Sequence, residues 1–406
     1  MALAFALWDP SMTRAALATV YLTVFIDLFG FGIILPALPY YAQKLGASGL
    51  WLGVLFTAYS AAQLFGAALL GRWSDRVGRR PILLLSLLGS VLAFTLCGFA
   101  ATLPMLIAAR ALAGAFGGSI AAAQAYIADV TAPAERARAM GLLGASIGLG
   151  FVLGPAVGAL LAHWGLGFGA AAFVAAGLAA INWVATYLRL REPERHETAG
   201  SRAPIAGLIR ALGRPALGRL LGATFFAMCA MVAMETTLAF LVKARFGLRE
   251  GGLGALLVFA GVVQVIVQGG LLGRLVRAFG ERPVALAGTV LSAVALVTLA
   301  LAPTLTLATV ALGGLAAGAG CTTPALATLL SRASAADEQG GVLGLGQSMS
   351  ALARASAPLA AGSLWDWAPK APYLVGATFA LCAAALIGWS AIADASGEPT
   401  VSSVRG

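Results

Sequence analysis

Residues 71–81 read GRWSDRVGRRP, and residues 273–283 read GRLVRAFGERP. Five of the eleven positions are identical at an offset of 202 residues, which is half of the 406-residue chain. The first copy follows the second long apolar run of the chain, and the second copy follows the eighth. A repeat at equivalent places predicts that the chain consists of two related halves.

Apolar runs make up most of the sequence. Hydrophobic residues account for 60% of the chain and charged residues for only 10%, whereas a soluble domain carries about 25% charged residues. Runs of roughly 20 apolar residues can cross the ~30 Å core of a bilayer as helices. We therefore predict an all-α membrane protein with twelve transmembrane helices in two pseudo-symmetric six-helix bundles. The twelve runs are 14–42, 49–71, 80–99, 104–129, 138–161, 168–188, 217–242, 251–273, 282–301, 304–330, 340–363 and 372–394.

One connection between the runs is longer than the others and rich in charge. It predicts an N-terminal bundle over 1–188, a linker over 189–216 and a C-terminal bundle with a short tail over 217–406. Within the linker, apolar residues recur with helical spacing at Ile205, Leu208, Ile209 and Leu212. This pattern fits an amphipathic helix on the membrane surface, and it fits a plain solvated linker equally well.

The positive charges are distributed unequally between the two sets of loops. With both termini in the cytoplasm, nineteen Lys and Arg residues fall in inside segments and five in outside segments. The positive-inside rule therefore predicts a multi-pass protein of the inner membrane with both termini cytoplasmic. Since the net charge of +10 lies in short loops, we expect the lipid bilayer as a partner and no nucleic acid.

The sequence contains no recognisable motif for nucleotide binding, metal binding or catalysis. The chain has no Walker-type phosphate loop, and its four cysteines lie in apolar runs without a Cys-x-x-Cys pair. No nucleophile–base or metal constellation accompanies the two histidines. We therefore expect no metal, no cofactor and no enzymatic activity.

The first copy of the repeat resembles the loop 2–3 signature of the major facilitator superfamily, Gly-x-x-x-Asp-Arg-x-Gly-Arg-Arg, and the match is complete. We expect its charges to form a gating cluster at the cytoplasmic rim, with Asp129 as a partner. Purely topogenic positive charge is the alternative. The matching residues are Gly71, Asp75, Arg76, Gly78, Arg79 and Arg80.

Further resemblances concern the first half of the chain. Arg110, followed by Gly114, looks like the superfamily's second motif, and Gly150, Gly154, Pro155 and Gly158 look like the Gly-Pro motif of antiporters. The run from Asp27 to Pro39 and the segment 126–129 resemble the twelve-span drug:proton antiporters, especially the tetracycline-efflux branch. The chain lacks that branch's acidic residue in span 9 and histidine in span 8. A metal–tetracycline chelate is therefore not expected as the substrate.

Four ionisable residues lie well inside the predicted spans: Asp27, Arg110, Glu235 and Arg354. Each costs roughly 2.5–3.5 kcal/mol at the bilayer centre, so such residues are rare unless they pair or function. In the fold that the resemblance implies, spans 1, 4, 7 and 10 line a central cavity. Asp27 would then alternate between a proton and a contact with Arg110 or a cationic substrate. A permanent Asp27–Arg110 pair is the alternative.

The predicted site has two parts. Asp27, Glu235 and Arg110 are assigned to proton coupling, and Arg354 is expected to neutralise Glu235. Flexible methionine side chains beside an acid suit promiscuous binding of amphiphilic cations, although they also serve as core filler. The predicted substrate cavity contains Thr23, Gln124, Met228, Met231, Gln264, Gln268 and Arg354.

The glycines and prolines of the spans have a second, structural interpretation. Transmembrane helices associate through small residues, so we expect Gly150, Gly154 and Gly158 to form a helix contact. Pro36 and Pro39 should break the outer end of span 1.

Together, these features predict a monomeric, proton-coupled exporter of small amphiphilic, cationic compounds that works by alternating access. The nearest alternative is a transporter of a lipid, sugar or metabolite in the same superfamily, including a symporter. A membrane receptor would need a signalling domain, for which the short tail leaves no room.

Overall fold

A computed structural model describes residues 10–131, 133–192, 214–334 and 338–395. These residues form twelve long helical passes and no β-strand. All but one of these passes are long and apolar enough to cross a membrane, judged by length and composition alone. The exception is the helix Gln339–Trp367, which contains more polar residues. The predicted fold class, an all-α membrane protein, is confirmed. The predicted linker helix around Ile205 lies outside the described residues.

The passes are numbered here as spans 1 to 12, as in the sequence. Spans 1 to 6 are Pro10–Ile34 with Leu38–Lys44, Gly49–Val77, Arg79–Gly98, Leu103–Ala115 with Ser119–Val130, Pro133–His163, and Phe168–Arg189. Spans 7 to 12 are Pro215–Phe246, Glu250–Ile266 continued by a π-helical turn at Val267–Leu271 and by Leu272–Phe279, Glu281–Leu301, Leu305–Arg332, Gln339–Trp367, and Ala371–Ala395.

Three spans depart from a single uniform helix. Span 1 is interrupted at residues 35–37, which confirms the break expected at Pro36. Span 4 is interrupted at residues 116–118, where Phe116 is followed by two glycines, and the sequence analysis did not predict this break. Span 8 contains the π-helical turn, which was also not predicted.

Spans 1 and 5 pack closely through glycines. A Cβ atom on Gly150 would lie 2.9 Å from the Cβ of Leu28, and one on Gly154 would lie 2.6 Å from the Cα of Gly32. Gly158 faces the backbone of Ile33 just as tightly. The predicted helix contact is therefore confirmed, because no larger residue fits at these three positions. Span 5 remains one continuous helix through Pro155.

The chain forms two compact units, and each combines one half with a short segment of the other. The first unit holds spans 1 to 6 except residues 48–57, together with residues 248–258. The second unit holds residues 48–57 and the rest of the second half. Within the second unit, the Asp366 carboxylate accepts hydrogen bonds from the backbone N–H groups of Gly49 (2.7 Å) and Leu50 (2.8 Å). Within the first unit, the Tyr40 hydroxyl donates to the carbonyl oxygen of Leu248 at 3.0 Å.

An ion pair recurs at equivalent places in the two halves. Arg79 at the start of span 3 pairs with Asp129 near the end of span 4, with 2.8 Å between Nε and Oδ2. Glu281 at the start of span 9 pairs with Arg332 at the end of span 10, with 2.5 Å between Oε1 and Nη2. Arg79 and Glu281 are 202 residues apart, the offset of the sequence repeat. The two halves thus repeat the position of the pair but exchange its charges.

Candidate functional site

Asp27 lies in the middle of span 1 and is held by two hydroxyl groups. Ser90 of span 3 donates to its Oδ1 at 3.0 Å, and Ser119 of span 4 donates to its Oδ2 at 2.5 Å. Ser119 is the first residue after the break in span 4, so it begins a twelve-residue half-helix. The N-terminal end of a helix carries a partial positive charge and unsatisfied N–H groups, which favour a nearby carboxylate. Asp27 therefore has hydrogen-bond donors and a helix end as its surroundings.

Arg110, in the first half of span 4, has aromatic neighbours. Its guanidinium carbon lies 4.2 Å from the ring centroid of Tyr59 and 5.1 Å from that of Phe31. The residue is only 1% exposed, and its three guanidinium nitrogens have no hydrogen-bond partner. Aromatic ring faces attract a cation, most strongly where water is excluded. The two rings are therefore the interaction that the structure gives to this buried charge.

The expected contact between Asp27 and Arg110 is not formed in this structure. Asp27 bonds to the two serines, while Arg110 lies against the rings. Phe31, which contacts the guanidinium, stands one helical turn after Asp27 on span 1. A permanent Asp27–Arg110 pair, the structural alternative, is therefore wrong for this structure.

Glu235 lies on span 7 and is exposed, although Met234 and Thr236 on either side of it are buried. Arg354 of span 11 acts electrostatically on Glu235, without a direct ion pair between them, and its Nη1 lies 3.9 Å from the sulfur of Met228. Arg354 is therefore near enough to act on Glu235, and its neutralisation of that acid stays a prediction. Arg354 of the second unit thus interacts with both an acid and a thioether of span 7.

The remaining residues of the predicted cavity have different environments. Gln124 is exposed on the second half of span 4, and Met231 is half-buried on span 7. Gln264 is half-buried, and Gln268 is exposed within the π-helical turn of span 8. These four side chains are accessible to a ligand to different degrees.

Thr23 does not belong to an accessible surface. It is 1% exposed, and its hydroxyl hydrogen-bonds that of Thr186 at 2.9 Å. The amide of Asn182 also donates to the carbonyl oxygen of Thr23 at 2.9 Å. The assignment of Thr23 to a substrate cavity is corrected here: its hydroxyl joins spans 1 and 6, which bury it.

The π-helical turn at Val267–Leu271 is a feature that sequence reasoning missed. Such turns interrupt the regular hydrogen-bond ladder of a helix and are frequent at functional sites. Gly269 and Gly270 follow Gln268 in this turn, and neither has a neighbouring atom within 4 Å of an added Cβ position. The only sequence signal was the pair of consecutive glycines inside an apolar run.

The loop 2–3 signature forms the predicted charge cluster within the first unit. Arg79 bonds Asp75 through Nη1 at 2.6 Å and Asp129 through Nε at 2.8 Å. Arg80 lies over the ring of Tyr187 at 5.2 Å and donates to its carbonyl oxygen. The expected partnership with Asp129 is confirmed.

The turn between spans 2 and 3 occurs at Gly78, whose φ of +124° is accessible to glycine and strained for other residues. Gly71, by contrast, lies inside span 2 with open space around it. Arg76 is exposed at the end of span 2.

Glu192, which the sequence analysis did not assign to the cluster, completes it. Its two carboxylate oxygens accept from the backbone N–H groups of Arg79 at 2.6 Å and Arg80 at 2.9 Å. It thereby caps the start of span 3 and attaches the chain that follows span 6 to that helix.

Comparisons with known proteins agree with this architecture. The model of the Major Facilitator Superfamily matches residues 20–278 and 265–406. The tetracycline resistance protein, class C, of Escherichia coli is 31% identical over 388 residues, which cover 91% of this chain and 96% of that protein. Multidrug resistance protein 1 of Bacillus subtilis is 29% identical and covers 92% of this chain and 96% of that protein.

Solved structures share the fold at lower sequence identity. A bacterial homologue of the human lysosomal transporter Spinster, in an inward-facing and occupied conformation, superposes with a TM-score of 0.79 at 16% identity over 95% of this chain and 98% of that one. The human organic anion transporter MFSD10 superposes with a TM-score of 0.69 at 24% identity over 94% of this chain and 100% of that one. At these identities the likeness concerns the fold alone.

Proposed function

Because the chain belongs to the major facilitator superfamily, whose members transport small molecules across membranes, we propose that it is a proton-coupled exporter of small amphiphilic cations. It is a transporter and not an enzyme. Relatives that carry the names tetracycline resistance protein and multidrug resistance protein support export as the direction of transport.

The observation that carries the proposal is the acid in the interior of the leading span of each half, Asp27 in span 1 and Glu235 in span 7. Neither carboxylate forms a direct ion pair with a described residue. Keeping an acid within the apolar part of a membrane is costly, so an acid without a fixed ion-pair partner favours a functional role. Each can exchange a proton or accept a cationic ligand.

Glu235 is the better candidate for contact with the substrate. Its side chain is exposed, and Met228 and Met231 precede it by seven and four residues on nearly the same face of span 7. Thioethers adapt to ligands of different shape, and a carboxylate attracts a positive charge. We propose that Gln264 and Gln268 of the same unit supply polar contacts to the substrate, and that Arg354 replaces the substrate as the partner of Glu235 when no ligand is bound.

The coupling follows from competition. If a carboxylate binds either a proton or the cation, release of one favours uptake of the other, and the two species move in opposite directions. One charge crossing the membrane provides about 2.3 kcal/mol per 100 mV, which corresponds to a roughly 50-fold concentration gradient. One proton in each cycle would therefore support useful export.

The charge cluster of the loop 2–3 signature is proposed to act as a gate. Two hydrogen-bonded ion pairs join spans 2, 3 and 4 through Arg79 within the first unit. We propose that this rigid rim latches one of the two access states, and that glycine-lined contacts such as Gly154–Gly32 let spans 1 and 5 shift during exchange. We also propose a monomer in the inner membrane, with both termini in the cytoplasm.

The decisive experiment is substrate-induced proton release from inverted vesicles. The probe is tetraphenylphosphonium, and the variants are Asp27→Asn and Glu235→Gln. We expect wild type to release protons when the probe is added. Both variants should lose most of this proton release. Glu135→Gln is the matched control, since Glu135 is an exposed acid at the end of span 5.

Two outcomes would contradict the proposal. Normal proton exchange in both variants would remove these residues from the mechanism. Absence of proton flux with tetraphenylphosphonium, ethidium and other amphiphilic cations in wild type would exclude the antiporter. Counterflow of a sugar, lipid or metabolite under the same conditions would then favour the alternative type of transporter.

A further inference from the structure

The two hydroxyls on Asp27 come from two different helices. Ser90 reaches the carboxylate from span 3, and Ser119 reaches it from the second half of span 4. Each donates to a different oxygen, so both carboxylate oxygens have a donor. All the interactions found for this carboxylate are with hydroxyl groups, and none is with a charged group.

The break in span 4 is what makes the second contact possible. Within the break, the N–H of Gly117 bonds Gly114 and the N–H of Gly118 bonds Phe116. The half-helix begins again with a bond from the N–H of Ala122 to the carbonyl of Gly118. The N–H groups before Ala122 therefore have no acceptor inside the helix, and their partial positive charge lies next to the Ser119 hydroxyl.

Charged groups on the neighbouring helices are placed elsewhere. Arg79 and Arg80 stand at the start of span 3, and Arg79 is committed to the charge cluster. Arg110 of span 4 lies against aromatic rings, and Asp129 of the same span pairs with Arg79. The charged residues of spans 5 and 6 lie towards helix ends and comprise Glu135, Arg136, Arg138 and Arg189. Hydrogen bonds and the half-helix end thus take the place of a basic partner for Asp27.

We propose that Ser119 and Ser90 are positioning residues that set the pH at which Asp27 exchanges its proton. This inference rests on the proposed function, because it assigns the proton to Asp27. Hydrogen bonds donated to a carboxylate stabilise its ionised form, and so does the end of a helix. When Asp27 takes up a proton, it loses one of these bonds or turns a hydroxyl into an acceptor. The two serines therefore favour proton release without an arginine.

The test is the pH dependence of proton release by the purified full-length protein in detergent. Tetraphenylphosphonium is added across a range of pH, and the protons released are measured with a pH indicator. The midpoint of the wild-type profile is the reference. Ser119→Ala and Ser90→Ala should each move that midpoint upward by about one pH unit, because loss of one charge-assisted hydrogen bond favours the protonated form roughly tenfold.

Two further variants separate positioning from packing. Ser119→Thr keeps the hydroxyl and should keep the wild-type midpoint. Ser86→Ala is the control on span 3, one helical turn before Ser90. The Ser86 hydroxyl is also buried, and it has no hydrogen-bond partner. Ser86→Ala should leave the midpoint unchanged. Monodisperse elution in gel filtration identifies the variants that are folded, and Ser90→Ala carries the test if Ser119→Ala does not fold.

The outcomes distinguish this inference from the proposed function. If Asp27→Asn abolishes proton release while the serine variants keep the wild-type midpoint, the positioning role is refuted and the proposed function stands. If Asp27→Asn still releases protons normally, both fail. An equal shift in Ser86→Ala and Ser90→Ala would also refute the inference, because it would reflect general disturbance of span 3.

Discussion

Replacing Gly154 by alanine should force spans 1 and 5 apart. The new Cβ would lie 2.6 Å from the Cα of Gly32 and 2.7 Å from the carbonyl oxygen of Phe29. Both are backbone atoms, so neither can rotate away as a side chain would. Because carbon atoms pack at about 3.5–4.0 Å, the helices would need to separate by about 1 Å along the contact.

The change in the free energy of unfolding caused by Gly154→Ala is the sum of two opposing effects. Overpacking of this kind costs about 1–3 kcal/mol, whereas replacing glycine by alanine within a helix stabilises it by about 0.8–1.0 kcal/mol. Gly148→Ala separates the two effects, since Gly148 lies six residues earlier on the same helix with no atom within 4 Å of an added Cβ. We expect Gly148→Ala to be neutral or stabilising and Gly154→Ala to be less stable than Gly148→Ala by about 1–3 kcal/mol.

Thermal unfolding of the purified protein in detergent measures this difference. The unfolding midpoint of Gly154→Ala should lie clearly below that of Gly148→Ala, with wild type between the two. Equal midpoints for the two alanine variants would refute the close approach of spans 1 and 5.

Three further predictions concern individual contacts. Arg332→Glu should lower the free energy of unfolding by about 0.5–1 kcal/mol through repulsion with Glu281, and adding Glu281→Arg should restore it, as a double-mutant cycle would show. Asp366→Asn should cost about 0.5–1 kcal/mol in the same unfolding assay, because it removes a negative charge from the N-terminal end of span 2, and Asp366→Glu should cost less. Phe31→Leu should destabilise the protein by about 1–2 kcal/mol through loss of a ring face over Arg110, whereas Phe31→Tyr should not; equal stability of the two variants would contradict the cation–π contact.

Sequence patterns were sufficient where one physical requirement decided the outcome. Hydropathy predicted the twelve passes, because a chain that crosses the bilayer must pair its backbone polar groups within a helix. The thickness of the hydrocarbon core sets the length of that helix. Glycines spaced four apart predicted the contact of span 5 because only residues without a Cβ allow that approach. The partnership of Asp129 with the signature arginines was also predicted, since opposite charges at neighbouring helix ends attract each other.

Other features depended on three-dimensional neighbours that spacing does not reveal. Thr23 was assigned to the substrate cavity from the sequence, but its hydroxyl bonds that of Thr186 on span 6 and is buried there. Charge alone suggested Arg110 as the partner of Asp27, but Arg110 lies against the rings of Tyr59 and Phe31 while Asp27 bonds two serines. The break before Ser119 was missed because an apolar run with two glycines reads the same whether its helix is continuous or interrupted.

The two halves repeat an ion pair between helix ends, but they do not repeat the surroundings of the acid in the leading span. The ion pair between the third and fourth helices of each half keeps its place while its charges are exchanged, so what the repeat preserves there is an attraction between two helix ends. The acids of the leading spans are not equivalent in this way. Asp27 is surrounded by hydroxyl donors and a half-helix end, whereas Glu235 has Arg354 and a thioether near it. A neutral donor stabilises a carboxylate without adding a positive charge, whereas a nearby arginine repels any cation that binds to the same carboxylate. We therefore propose that Asp27 exchanges the proton and that Glu235 binds the positively charged ligand.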